Sequence, residues 1–402
     1  MRLSRRFLLG WIVLFAAQNL HSTEIVFLKL LKEKTTLAMA TVADTVSEPV
    51  MKPRSALARW FEYDPRLETG ERKNFNILPL FVSSPERGTG LGVKFAEEAL
   101  WEKKDILSAQ AVQTVKNKSS YNIKYEFSPD SQGKLPTEIS ISYENYERFY
   151  YGIGNTTNKD DESTYTPELV DVHLPFLYAL TSSLNLGLFL DYENWRITQT
   201  DNRGILPRDL PQMVGKDGAR LFTSGLLLRW DSRDSKTDPS QGIYLEGVYE
   251  YSKKLFGSDT DFTRGTLDAR IFKSLNGDDR HVLAFRIFGD YKAGDVPFYK
   301  LPELGGVFFN RGLIEGRYRD NVALCANLEY RLKIYQRLHW AFFVDAGNVH
   351  NSLSAIEYSH VQLTGGTGMR YYVPPGNLLM ARIDGGYSTE GFHVYLTFDQ
   401  PF

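Results

Sequence analysis

A single cysteine, Cys325, stands among 402 residues, so neither an internal disulfide nor a cysteine-rich zinc site can form. Neither sign of charge is in excess: 47 Lys and Arg against 49 Asp and Glu leave a formal net charge of −2. That excludes phosphate tracking as a default and hence a nucleic-acid partner, because such a surface needs a basic surplus or a basic face. No apolar run reaches the ~20 residues of a membrane helix, and helical periodicity is almost missing. The seven histidines form no tight metal-ligand spacing, and His350, Glu357 and His360, which share one loop, read as solvated residues. No G-x-S-x-G occurs. No cofactor, metal or catalytic residue is expected.

What the sequence has is aromatics, 13% of its residues, together with 32 glycines. That mixture is expected where many strands meet a membrane interface. Arg2, Arg5 and Arg6 precede the apolar run Phe7 to Ala17, the layout of an export signal. We assign 1–40 to a signal-peptide region, with cleavage after Ala17, Ser22 or Ala40; a membrane-anchoring helix is the alternative. Residues 41–75 carry Pro53, Pro65 and mixed charge without a period, and read as a short periplasmic lead-in.

From 76 to 402 apolar and polar residues alternate, with Gly, Asn, Asp and Pro clustered between runs. About sixteen segments result, of the length a tilted strand needs to cross hydrocarbon. Long gaps fall at 148–167, 197–218, 294–320 and 349–360, each after an odd-numbered strand, while 179–181 and 334–337 are short. A bacterial barrel whose first strand starts in the periplasm has this rhythm. In NVALCANLEYR, Val322, Leu324, Ala326, Leu328 and Tyr330 alternate with Ala323, Cys325, Asn327, Glu329 and Arg331, so one face suits lipid and the other a polar lumen. The same parity sends Arg286, Asp290, Arg370, Arg382 and Asp384 inward. A β-sandwich would instead place its apolar face inside. The fold class is therefore all-β, a transmembrane antiparallel barrel of about 16 strands. Asp231, Arg233 and Asp234, followed by Pro239 and Gly242, read as a structural periplasmic turn, since they lack the spacing of a calcium loop.

Four segments are more specific: Leu228 to Tyr251, Leu304 to Asp320 (LGGVFFNRGLIEGRYRD), Leu328 to Val349 and Gly391 to Phe402 (GFHVYLTFDQPF). Together they resemble the bacterial surface-antigen barrel superfamily of BamA and TamA. The resemblance implies that the long loop after the eleventh strand folds into the lumen. Its Arg-Gly tip, here Arg311-Gly312, would dock on acidic wall residues, here Asp345 and, by parity, Glu329. The family's aromatic after Arg-Gly is Leu313 in this sequence, with Tyr318 as a substitute ring. Phe392, Val394, Leu396 and Phe398, with Phe402 after them, are similar to the terminal signal by which outer-membrane barrels are recognised for assembly. Residues 41–75 are too short for a POTRA module, so a stand-alone barrel is expected. The implied setting is the bacterial outer membrane. The implied role is membrane-protein assembly or translocation, with outer-membrane lipids, the barrel assembly machinery and client proteins as partners. The charged lumen leaves a passive solute channel as the alternative. An outer-membrane hydrolase is the remaining one, although no nucleophile–histidine pair can be nominated.

Overall fold

The computed structural model describes residues 75–98, 105–115, 118–127, 135–373, 379–398 and 400–402. The signal-peptide region and nearly all of the lead-in lie outside the described residues. Nineteen strands follow one another among those described: β1 (Phe75–Ser84), β2 (Gly88–Glu98), β3 (Ile106–Thr114), β4 (Ser119–Phe127), β5 (Thr137–Asn145), β6 (Arg148–Tyr150), β7 (Ser163–Ala179), β8 (Leu184–Thr200), β9 (Gly218–Asp231), β10 (Gly242–Ser252), β11 (Phe262–Ser274), β12 (His281–Gly294), β13 (Glu303–Leu304), β14 (Tyr318–Arg319), β15 (Val322–Tyr335), β16 (Leu338–His350), β17 (Gln362–Val373), β18 (Leu379–Ser388) and β19 (Gly391–Phe398). Strand β6 prolongs β5 along β7, and β13 and β14 pair only with each other. The other sixteen close an antiparallel barrel in sequence order, the last step being β19 against β1.

The alternation read from sequence is the physical basis of the barrel. Along β8 and β9, Leu186, Leu188, Leu190, Leu226, Leu228 and Trp230 are exposed on the outside. On β12, β15, β16, β17 and β18, Arg286, Glu329, Asp345, Arg370 and Asp384 are buried in the lumen. A polar interior and an apolar exterior are the reverse of a water-soluble fold and suit a bilayer.

Strand ends differ from the sequence reading by a few residues, β8 running on to Thr200 and β15 to Tyr335, and the largest difference is at β7. The strand expected at 168–178 begins at Ser163, which shortens the preceding loop. Pro167 conceals this start, since a proline cannot donate to a ladder. The fold accommodates it by a register shift between Thr166 and Pro167.

At the end carrying the long connections, β7 and β8 run beyond the apolar belt. Tyr165 and Trp195, from these extensions, pack with Leu206, Phe262, Phe298 and Tyr299 into a cluster of buried side chains. Loop residues thus form an apolar cap over a charged lumen.

Leu188, 59% exposed at the middle of the belt, tests the outside of the barrel. Leu188→Arg is expected to cost ~2–4 kcal/mol in denaturant unfolding from lipid bilayers. A loss under ~0.5 kcal/mol would mean that this face does not meet hydrocarbon.

Candidate functional site in the lumen

The connection between β12 and β15, the eleventh and twelfth barrel strands, turns into the lumen. Its base is the β13–β14 hairpin, and its tip is the tight turn in which the Leu313 amide donates to the Asn310 carbonyl (3.0 Å). Arg311 sits on this tip, 1% exposed. Its Nε and Nη2 donate to Asp345 Oδ2 and Oδ1, both at 2.9 Å, and its backbone amide donates to Oδ2 at 3.2 Å. Its Nη1 donates to Glu329 Oε2. The guanidinium carbon lies 3.6 Å from the centroid of the Phe343 ring. A cation this deep is retained only when bidentate partners replace its water, and the two fully buried carboxylates supply them.

The acids are themselves shared. Glu329 also accepts from Arg370 Nη2 (3.1 Å) and Arg331 Nε (2.8 Å). Asp384 pairs with Arg370 and, at 3.3 Å, with Arg382. Four guanidinium groups and three carboxylates therefore form one buried network. Its floor is glycine: a Cβ on Gly386 would strike the Arg311 carbonyl, and one on Gly368 would strike the Asp384 carboxylate. The runs TGGTG and DGGY make room for the tip.

The family resemblance singled out Arg311, Gly312 and Asp345, and parity added Glu329; the structure brings the three charged groups into direct contact. Gly312 lies against Thr364 and the Tyr387 carbonyl. Arg331 and Phe343 were missed as partners, and Arg370, Arg382 and Asp384 were assigned only to a generally charged wall. Neither Leu313 nor Tyr318 stacks on Arg311; both are buried beside Leu304, Cys325 and Val349, and the ring comes from Phe343.

The same loop spans the junction of β1 and β19. Ser388 Oγ donates to the Gly312 carbonyl (2.7 Å) and Tyr395 Oη to the Leu313 carbonyl (2.7 Å). From the other side, the Glu315 amide donates to Oε1 of Glu86, in the β1–β2 turn (2.8 Å). Further out, Arg317 and Tyr318 reach Glu390 between β18 and β19. Sequence reasoning gave no sign of Glu86 or Tyr395. Strand pairing itself is sparse at this junction: Ser83 opposite Leu396 is the single β1–β19 pair among the described residues, where β18–β19 has eight.

The β9–β10 turn lies at the opposite end. Asp231 holds Arg233 in a bidentate pair (both 2.9 Å), and Asp234 accepts the amides of Ser240 (2.9 Å) and Gln241 (3.2 Å). Pro239 is buried, and Gly242 takes φ +111°, a conformation other residues rarely adopt. Phe392 and Val394 face outward, 63% and 49% exposed. The alternation then breaks. Phe398 packs with Leu80, Val82 and Val112, and Phe402 is buried against Phe272 and Ala284, with its carbonyl on Arg331 Nη2 (3.1 Å). Gln400 Nε2 donates to Asp238 Oδ1 in the turn (2.9 Å). Arg331 and the Phe272 slot thus hold Phe402 inside the lumen.

Among the described residues no group of three His, Cys, Asp or Glu is placed to hold a metal ion. Comparison with known proteins gives a match of residues 105–381 to the Omp85 superfamily domain. Among solved structures, BamA from Haemophilus ducreyi lacking POTRA domains 1-3 is similar at 14% identity and TM-score 0.61, over 82% of this chain and 70% of that one. CdiB from Escherichia coli is similar at 11% identity and TM-score 0.61, and CdiB from Acinetobacter baumannii at 13% and 0.55. The chain spans 63% and 60% of those two. These likenesses show the fold. No curated protein matches.

Two variants test the geometry. Gly386→Val is expected to displace the tip at a cost of ~1–3 kcal/mol and to expose the loop to trypsin at Arg311 and Arg317; an uncut loop would contradict the close approach. Burial, reinforced by the charge of Glu315, raises the Glu86 carboxyl above its ordinary value. A raised acid favours its protonated form in the fold, so its contribution falls as pH climbs above ~4.3, the ordinary glutamate value. Heat-resistant gel migration of the wild type should weaken from acid to neutral pH, and Glu86→Gln should flatten that slope. Identical slopes would show that Glu86 is not a titrating clamp.

Proposed function

The chain belongs to the Omp85 superfamily, and from that premise we propose that it works in the bacterial outer membrane, in the assembly or translocation of proteins, through the seam between β19 and β1. The observation that carries this reading is that, among the described residues, the seam has a single paired position. A sheet edge left open offers unpaired amides and carbonyls to another strand, and β-augmentation supplies the affinity. Client polypeptides and the barrel assembly machinery are the proposed partners, with outer-membrane lipids around the belt.

In this reading Arg311, Gly312, Glu329 and Asp345 form a lock that holds the loop in the lumen. Asp231, Arg233, Asp234, Pro239 and Gly242 form a rigid periplasmic turn. Phe392, Val394, Leu396, Phe398 and Phe402 serve as the chain's own assembly signal, the last of them inserted into the lumen once the barrel is complete. A passive channel gains no support from this arrangement, since the loop and its apolar cap lie across the path a solute would take.

The test is a cysteine pair at the seam. Ser83→Cys with Leu396→Cys, in a Cys325→Ala background, places the new thiols at the paired position. In proteoliposomes the reduced protein should speed insertion of a urea-denatured eight-stranded barrel over protein-free vesicles. The disulfide form should not, and reductant should restore the effect. Equal rates in oxidised, reduced and protein-free vesicles would refute an insertase role.

A further inference from the structure

Arg286, Glu329, Asp345, Arg370 and Asp384 charge the lumenal wall of β12 and β15 to β18, whereas behind the seam part of the lining is apolar. A cavity of about 320 Å³ lies between the loop around Val307 to Phe309 and the inner faces of β1, β2, β3 and β19. Leu80, Val82, Val112 and Phe398 form its apolar wall. Phe308 lines it too, and is 50% exposed although it sits inside the barrel. An aromatic left uncovered in an interior is a surface without a partner.

The cavity also carries cations. Lys94 lines it from the inward face of β2 and has no carboxylate partner among the described residues. Lys118 donates to the Thr166 hydroxyl (3.2 Å), and Arg87 lies 4.6 Å over the Tyr146 ring. Two of the three lining carboxylates are engaged, Glu86 by the Glu315 amide and Glu303 by Arg319 (3.1 Å). The third, Glu315, acts on Arg87, and among the described residues Lys94 is left as a lining ammonium without a carboxylate partner.

We propose that this cavity binds a single-chain anionic amphiphile, a fatty acid, with its chain on the Leu80, Val112 and Phe308 wall and its carboxylate on Lys94. The size fits one chain better than a two-tailed lipid, since 320 Å³ is at the lower limit of the ~300–1,000 Å³ of small-molecule sites. Access from the bilayer is lateral: residues from both sides of the seam, Val82 of β1 and Leu396 of β19, line the same cavity next to the one paired position. Only this route rests on the seam reading above; the site itself does not.

A photoactivatable dodecanoic acid tests it, using the barrel in phosphatidylcholine nanodiscs with labelled peptides mapped by mass spectrometry. Label is expected in the peptides holding Val307 to Phe309 and Val112, displaced by dodecanoate and not by dodecyl maltoside. Lys94→Gln should weaken dodecanoate about tenfold, the loss of one charge-assisted contact. Val112→Trp, which fills the cavity, should abolish lumenal label in protein that keeps heat-resistant migration. Label confined to the outer belt around Leu188 and Phe342, or lumenal label unchanged by both substitutions, would overturn the proposal. Because no client is present, a barrel that takes the label but speeds no insertion fails the assembly reading alone, and the converse result fails this one alone.

Discussion

The organisation of the lumen depends on one buried cation. Arg311 is carried into the barrel by a long loop, and its guanidinium meets Asp345 side-on while a second edge reaches Glu329. Removing either partner from such a site leaves an uncompensated charge, typically a cost of ~3–5 kcal/mol. Without Arg311, Asp345 and Glu329 stand side by side on the neighbouring strands β16 and β15, with Arg331, Arg370 and Arg382 as the remaining counter-charges. The loop is thus a structural member that neutralises its own wall.

That member also bridges the weakest junction of the sheet. Tyr395 and Ser388 bond its tip from β19 and β18, while Glu86 bonds it from the β1–β2 turn. Where the ladder supplies one pair, the loop supplies cross-links from within. Any separation of β1 from β19 must therefore break the Glu86 contact or the tyrosine contact before it proceeds. Glu329 extends the same network through Arg331 to the carbonyl of Phe402. A continuous chain of charged contacts joins the tip of the loop, the wall and the last residues described.

Much of this was legible because the side-chain period of a strand is two. Alternation in NVALCANLEYR assigns Glu329 to the lumen without any structure, and the same parity assigns Arg370 and Asp384. The Arg-Gly tip and its acidic partners came from resemblance, not from spacing. What parity cannot show is which inward side chains meet across the barrel: Phe343 under Arg311 and Glu86 against Glu315 are 32 and 229 residues from their partners. Nor can it foresee where a strand abandons its ladder. Phe398 has the right parity for lipid, yet it packs with Leu80, Val82 and Val112, and Phe402 enters a slot made by Phe272 and Ala284. Pro167 misled in the opposite direction, since a bulge lets a strand pass a proline that local rules treat as a stop.

Planar-bilayer conductance of the purified barrel measures directly whether Arg311 holds the loop in the lumen. The wild type should be silent, and Arg311→Ala should show steady conductance as the loop leaves its seat. A wild type that already conducts, with the substitution making no difference, would contradict the lock and restore the solute-channel reading.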